Sequence, residues 1–167
     1  SAQTTTKTDK WKAWVFNLNA SGYTFGEETY KYYNLNGRFS ANRITEKWKT
    51  QISARENYSQ DENQIDSVTK AIIIRRNYNF NVLQVRSLGS HLSVGLRADA
   101  SSSSYENTKR AISVSPAVEY NFYPYAQSTR RQFKFEYSIG IADYQYSDTT
   151  IYDKLAESLL RHRLAGY

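Results

Sequence analysis

The stretch Leu92-Ser93-Val94-Gly95-Leu96-Arg97-Ala98-Asp99-Ala100 decides the reading of this chain. Leu92, Val94, Leu96, Ala98 and Ala100 alternate with Ser93, Gly95, Arg97 and Asp99, and His91 extends the polar set by one position. Period two puts the apolar side chains on one face of an extended strand and the polar and small ones on the other. A helical period of 3.6 would mix the two sets.

The same alternation recurs on both sides of this stretch. Toward the N-terminus, Trp14, Phe16, Leu18, Ala20 and Gly22 alternate with Val15, Asn17, Asn19, Ser21 and Tyr23. Over residues 30–43, Tyr33, Leu35, Gly37, Phe39 and Ala41 stand against Asn34, Asn36, Arg38, Ser40 and Asn42. Over 48–58, Trp48, Thr50, Ile52, Ala54 and Tyr58 oppose Lys49, Gln51, Ser53, Arg55 and Asn57, with Glu56 intruding on the apolar side. Residues 69–83 are less regular, because Arg76 shares its parity with Ile72, Ile74, Tyr78, Phe80 and Val82, and a bulge near Arg75 and Arg76 is expected. Toward the C-terminus, residues 111–123 and 133–146 alternate cleanly, and 159–167 reads as a strand with poor alternation. A helical turn is expected only around Asp153 to Leu160.

Eight strands of about 10 to 14 residues result, longer than the five or six residues usual in soluble domains. About 9 to 11 tilted residues cross a bilayer, so the pattern predicts an all-β, antiparallel up-and-down transmembrane β-barrel, alone or as part of a larger barrel. Residues 1–10, polar and rich in Thr and Lys, read as a lead-in, and 11–167 as the barrel domain. The first, third, fifth and seventh connections carry nine of the sixteen acidic residues, including those of 59–68 and 147–158. The other three are shorter or more basic, so an acidic and a basic end are expected.

Composition fits this reading. The 167 residues include 15 Tyr, 7 Phe and 3 Trp, an aromatic content too high for a disordered chain. Mean hydropathy is −0.72, yet a strand that shows lipid only every second residue keeps a polar average. The absence of cysteine removes disulfides, thiol nucleophiles and Cys-bearing zinc sites. Net charge is +6, which admits an anionic partner. Aromatic rings fall near strand ends at Trp11, Trp14, Tyr33, Trp48, Tyr58, Tyr78, Tyr120, Phe122 and Phe133, where a membrane interface favours them.

In these features the chain resembles bacterial outer-membrane β-barrels, specifically the small exported barrels described as salt-induced or uncharacterised outer-membrane proteins. The resemblance rests on the Trp-rich first strand from Trp11 to Tyr23, on Leu92 to Arg97, and on the run from Glu119 to Gln132 that joins two strands. It implies a closed barrel in the outer membrane with no established chemistry, in contact with lipid, lipopolysaccharide and other envelope subunits. The opening Ser1-Ala2-Gln3 is similar to what remains after removal of an export signal, which is itself missing from the sequence. Tyr167 supplies the terminal aromatic of such barrels, but Ala165, Arg163 and Arg161 do not form the apolar series that should precede it. A degenerate signal or further strands beyond Tyr167 are the two readings.

The polar parity assigns a lumen lined by Arg38, Lys49, Arg55, His91, Arg97, Asp99, Glu119, Lys134 and Glu136. In an eight-stranded barrel these charges must pair, since the interior holds little but side chains. Of the groups able to carry chemistry, His91 with Ser93 and Asp99 lacks a nucleophile motif, and Glu119 with Glu136 is better read as partners of Lys134. No metal-ligand spacing, cofactor motif or catalytic residue emerges, and the chain is expected to be no enzyme. The basic residues are spread too evenly for a nucleic-acid surface. The competing reading is a soluble, lipocalin-like barrel that encloses its apolar faces around a small apolar ligand.

Overall fold

A computed structural model describes residues 13–66, 68–127 and 129–167, so Trp11 and the lead-in 1–10 lie outside the described residues. Eight strands follow one another: β1 (Trp14–Gly26), β2 (Tyr30–Ile44), β3 (Trp48–Gln64), β4 (Lys70–Ser87), β5 (Leu92–Ser103), β6 (Thr108–Asn121), β7 (Lys134–Tyr146) and β8 (Ala156–Gly166). Each pairs antiparallel with the next in a single sheet of order β1 to β8. This is the up-and-down meander that the alternation predicts.

Closure is the point of correction. Among the described residues β1 and β8 do not pair, so the sheet is open along both edges and is not a closed barrel. Period two governs only what each strand shows to its two faces; whether first and last strands meet depends on the curvature summed over the whole sheet.

Three further expectations change. β4 runs through Arg75 and Arg76 in unbroken register with β3, so no bulge forms there; the irregularities lie instead at Ser101 to Ser103 and at Thr108 to Arg110. The acidic segment 59–68 is mostly strand, because β3 and β4 extend their pairing as far as Gln64 and Lys70. The segment 153–160 holds a turn and the start of β8, and the one helical turn among the described residues is the 3-10 turn Tyr125–Gln127. Asn107 and Asp153 occupy the left-handed region in their connections, a conformation these short polar side chains tolerate.

β6 keeps a proline in mid-strand. Pro116 has no N–H to offer, and the β6–β7 ladder lapses between Val114 and Ala117 before it resumes in the same register. Across this gap Gly140 leaves room for Ser115, whose side chain a Cβ on Gly140 would overlap.

Candidate functional site: an apolar belt and a basic trough

Direct cross-strand partners point to the same face of a sheet, so the register sorts the side chains. One row runs Phe16, Ala41, Ile52, Val82, Ala98, Val114, Ile141, Leu160 across all eight strands. One peptide away, on the opposite face, runs Asn17, Ser40, Ser53, Asn81, Asp99, Ser113, Ala142, Leu159. The apolar face is the outward one: Leu18 is 82% and Ile141 58% exposed. Asn34, Ser59 and Ser93 on the polar face are buried, and along β6 and β7 exposure alternates in step with polarity. The sheet therefore curls toward its polar side. Residues as far apart as Lys49 on β3 and Arg163 on β8 line one trough of about 960 Å³.

The apolar face is bounded by aromatic rings, and its boundaries slant. With the β1–β2 and β3–β4 hairpins taken as the upper end, Tyr58 stands opposite Leu35, one row below Tyr33, and Tyr78 opposite Glu56, one row lower again. At the lower end Trp48 sits one row below Trp14, and Tyr120 one row below Trp48. Phe122 and Phe133, joined by a backbone hydrogen bond of 2.9 Å, continue the descent. Phe122, Phe133 and Phe135 form an aromatic cluster with ring centroids 5.1 to 5.8 Å apart. From β1 to β7 the lower edge falls by about one residue per strand, a slant of roughly 35° for a 3.4 Å rise and 4.8 Å strand spacing.

Outward-facing charges sit mainly at these boundaries. Arg76 lies over the Tyr58 ring at 5.2 Å and Arg86 over Trp48 at 5.3 Å, each guanidinium against an aromatic face. Glu62 and Lys70 pair at 2.6 Å above the tyrosines. Glu56 lies inside the belt, just below Tyr58.

Of the polar set that the sequence singles out, Lys49, Arg97, Asp99, Glu119, Lys134 and Glu136 line the trough, and Arg38 and Arg55 lie beside it on the same face. His91 does not join them: it precedes β5, stacks on the outward Tyr120 at 6.1 Å, and its Nδ1 lies 2.7 Å from the Asn121 carbonyl. Asp99 accepts hydrogen bonds from Asn81 at 2.5 Å and Ser113 at 3.3 Å, so His91, Ser93 and Asp99 are not assembled into a relay. Glu119 and Glu136 are direct cross-strand partners, and Lys134 bonds Glu119 at 2.7 Å.

The full pairing expected of a closed lumen is not what the trough contains. Lys134–Glu119, Arg75–Asp61 and Lys154–Glu157 are the ion pairs on its face among the described residues. Arg161 and Arg163 donate to the hydroxyls of Tyr144 and Tyr167, at 2.5 and 2.9 Å, and meet no carboxylate within ion-pair distance among the described residues. Arg38, Lys49, Arg55 and Arg97 have no carboxylate within ion-pair distance among the described residues.

Sequence reasoning missed Arg161 and Arg163 of the poorly alternating β8, and Leu83, Val85 and Tyr125 besides. Leu83 and Val85 point inward, because the parity of β4 is set by Phe80 and Val82. Tyr125 is brought in by the β6–β7 connection, whose fold-back is held by the Tyr125 amide donating to the Ser90 carbonyl at 2.9 Å. Burial there pushes the Tyr125 phenol above its ordinary pKa, with Ser93 and Glu119 as its polar neighbours, and the Asn121 amide nitrogen is buried without a hydrogen-bond partner among the described residues. Comparison with family models, with curated proteins and with solved structures returns no match for the chain.

Proposed function

We propose that this chain forms the wall of a transmembrane β-barrel in a bacterial outer membrane, with a structural or pore-forming role and no catalysis. The observation that carries the reading is the outward apolar belt with slanted aromatic edges. Barrel strands tilt by roughly 35–45° to the barrel axis, so a belt level with a bilayer must cross successive strands obliquely. The slant of the lower edge agrees with that tilt. Aromatic rings and edge-placed arginines suit the interface, where a polar tip reaches water while the ring or stem stays in lipid.

The open edges must then find partners. Unpaired N–H and C=O groups cost several kcal/mol each in hydrocarbon, so further strands, of this protein or of another subunit, pair along β1 and β8. A lipocalin-like barrel requires the apolar faces inside, whereas here they are the exposed ones. The partners that follow are outer-membrane lipid and lipopolysaccharide, and other envelope subunits; nucleic acid is not among them. The test is folding into lipid vesicles after denaturation. A membrane barrel becomes protease-resistant and migrates differently on gels before and after boiling; a chain folded and soluble in buffer without detergent overturns the reading.

A further inference from the structure

We propose that the polar face of the sheet passes small anions and that Arg38 and Arg55, on that face beside the trough, form its anion-binding site. The proposal rests on the barrel reading and extends it from a wall to a selective conduit.

Arg38 and Arg55 are direct cross-strand partners on β2 and β3, flanked at the same level by Asn19 and Asn79. The adjacent positions of that face on these two strands are Asn36, Ser40, Ser53 and Asn57, none of them acidic. Asp61 and Asp99 are further along the same face and already occupied. Asp61 accepts from Tyr30 at 2.9 Å and pairs with Arg75, and Asp99 accepts from Asn81 and Ser113. Two arginines thus stand on directly opposed positions of one face, with amide-bearing residues at the same level and no carboxylate within ion-pair distance among the described residues. Like charges directly opposite on a sheet repel, and the repulsion is relieved by water or by an anion that both forks can bond.

The same pair argues about width. Side chains fill an eight-stranded barrel, and these guanidiniums would lose their water there without gaining a carboxylate. The trough is therefore hydrated, which requires a barrel of more than eight strands, closed in the bilayer by further copies of this chain along β1 and β8. Lys49, Arg97, Arg161 and Arg163 extend the positive field along it. A cleft lined by one sign of charge concentrates the opposite ion, here an anion.

The experiment is a planar bilayer holding the full chain between potassium chloride solutions of unequal concentration. The expected result is a chloride-over-potassium permeability ratio of at least about threefold, following the sign of the wall charge. Arg38→Gln with Arg55→Gln should reduce the ratio by about half or more, whereas Arg76→Gln with Arg86→Gln, which removes an equal charge from the outward face, should leave it unchanged. Inorganic phosphate should slow chloride passage in the unaltered protein, a readout independent of whether the double variant folds. Cation preference, or a ratio that the double variant does not move, overturns the proposal. Inserted protein that conducts nothing overturns the conduit and leaves the wall; failure to insert overturns both.

Discussion

On β5, Val94, Leu96 and Ala98 look outward, while Ser93, Gly95 and Arg97, each one peptide away, look into the trough. The two surfaces obey opposite rules. The outward one is wide, apolar and exposed; the inward one is polar and partly covered, and it carries charges that mostly lack carboxylate partners. In a protein folded in water the hydrophobic effect gathers the apolar face inside. The inverted arrangement is stable when the outer medium is itself apolar, which is the setting that the proposed membrane wall supplies.

The largest expected effect comes from placing a charge on the outward face. Leu96→Arg, near the middle of the belt on β5, should cost about 2–4 kcal/mol in a urea titration of the vesicle-folded protein. Ser113→Arg, on the trough face beside Asp99, should cost less than about 1 kcal/mol, since its guanidinium reaches a carboxylate. Equal costs would break the comparison. Ser93 is a poor inward control because it is 5% exposed, in the region that the β6–β7 connection folds over.

A smaller effect tests whether trough charges matter to stability. Lys134→Met leaves Glu119 facing Glu136 without its cation and should cost about 1.5–3 kcal/mol, most of it recovered by adding Glu119→Gln. A double-mutant cycle reads this directly. No recovery would mean that Lys134 acts through its contact with the Tyr167 ring, 5.0 Å away.

The smallest effect belongs to the β3–β4 tip, beyond both surfaces. Asp66 accepts from the Val68 and Thr69 amides at 2.8 Å each, and these bonds hold its carboxyl below the ordinary range. Its folded pKa is depressed, so the stabilisation is present above the ordinary carboxylate pKa and is lost as pH falls through the lowered value. Asp66→Ala should speed hydrogen exchange of the Thr69 amide at neutral pH without moving the global unfolding midpoint, and the unaltered protein should approach that behaviour in acid. A shifted midpoint would place the tip inside the cooperative unit.

Much of this was legible because the strand period is two and the alternation is nearly unbroken. Leu92 to Ala100 alone separates the faces, and the neighbouring strands repeat it with Arg38, Arg55 and Glu119 on the polar side. Leu83 and Val85 were not legible, since an apolar residue on the polar parity looks like noise until cross-strand partners place it opposite Arg97 and Gly95. Nor was Tyr125, which is carried into the trough by a connection without periodicity. The slant of the aromatic edges needs the register, because ring positions in sequence carry no common level.

Composition and alternation by themselves determined that the chain is all-β, where its strands run, and which side chains share a face, because these properties follow from local backbone geometry. Only the tertiary structure decided the register, the side toward which the sheet curls, the unpaired charges of the trough and the open edges at β1 and β8. Those depend on contacts between residues far apart in the chain and on twist accumulated over eight strands, which no local pattern encodes.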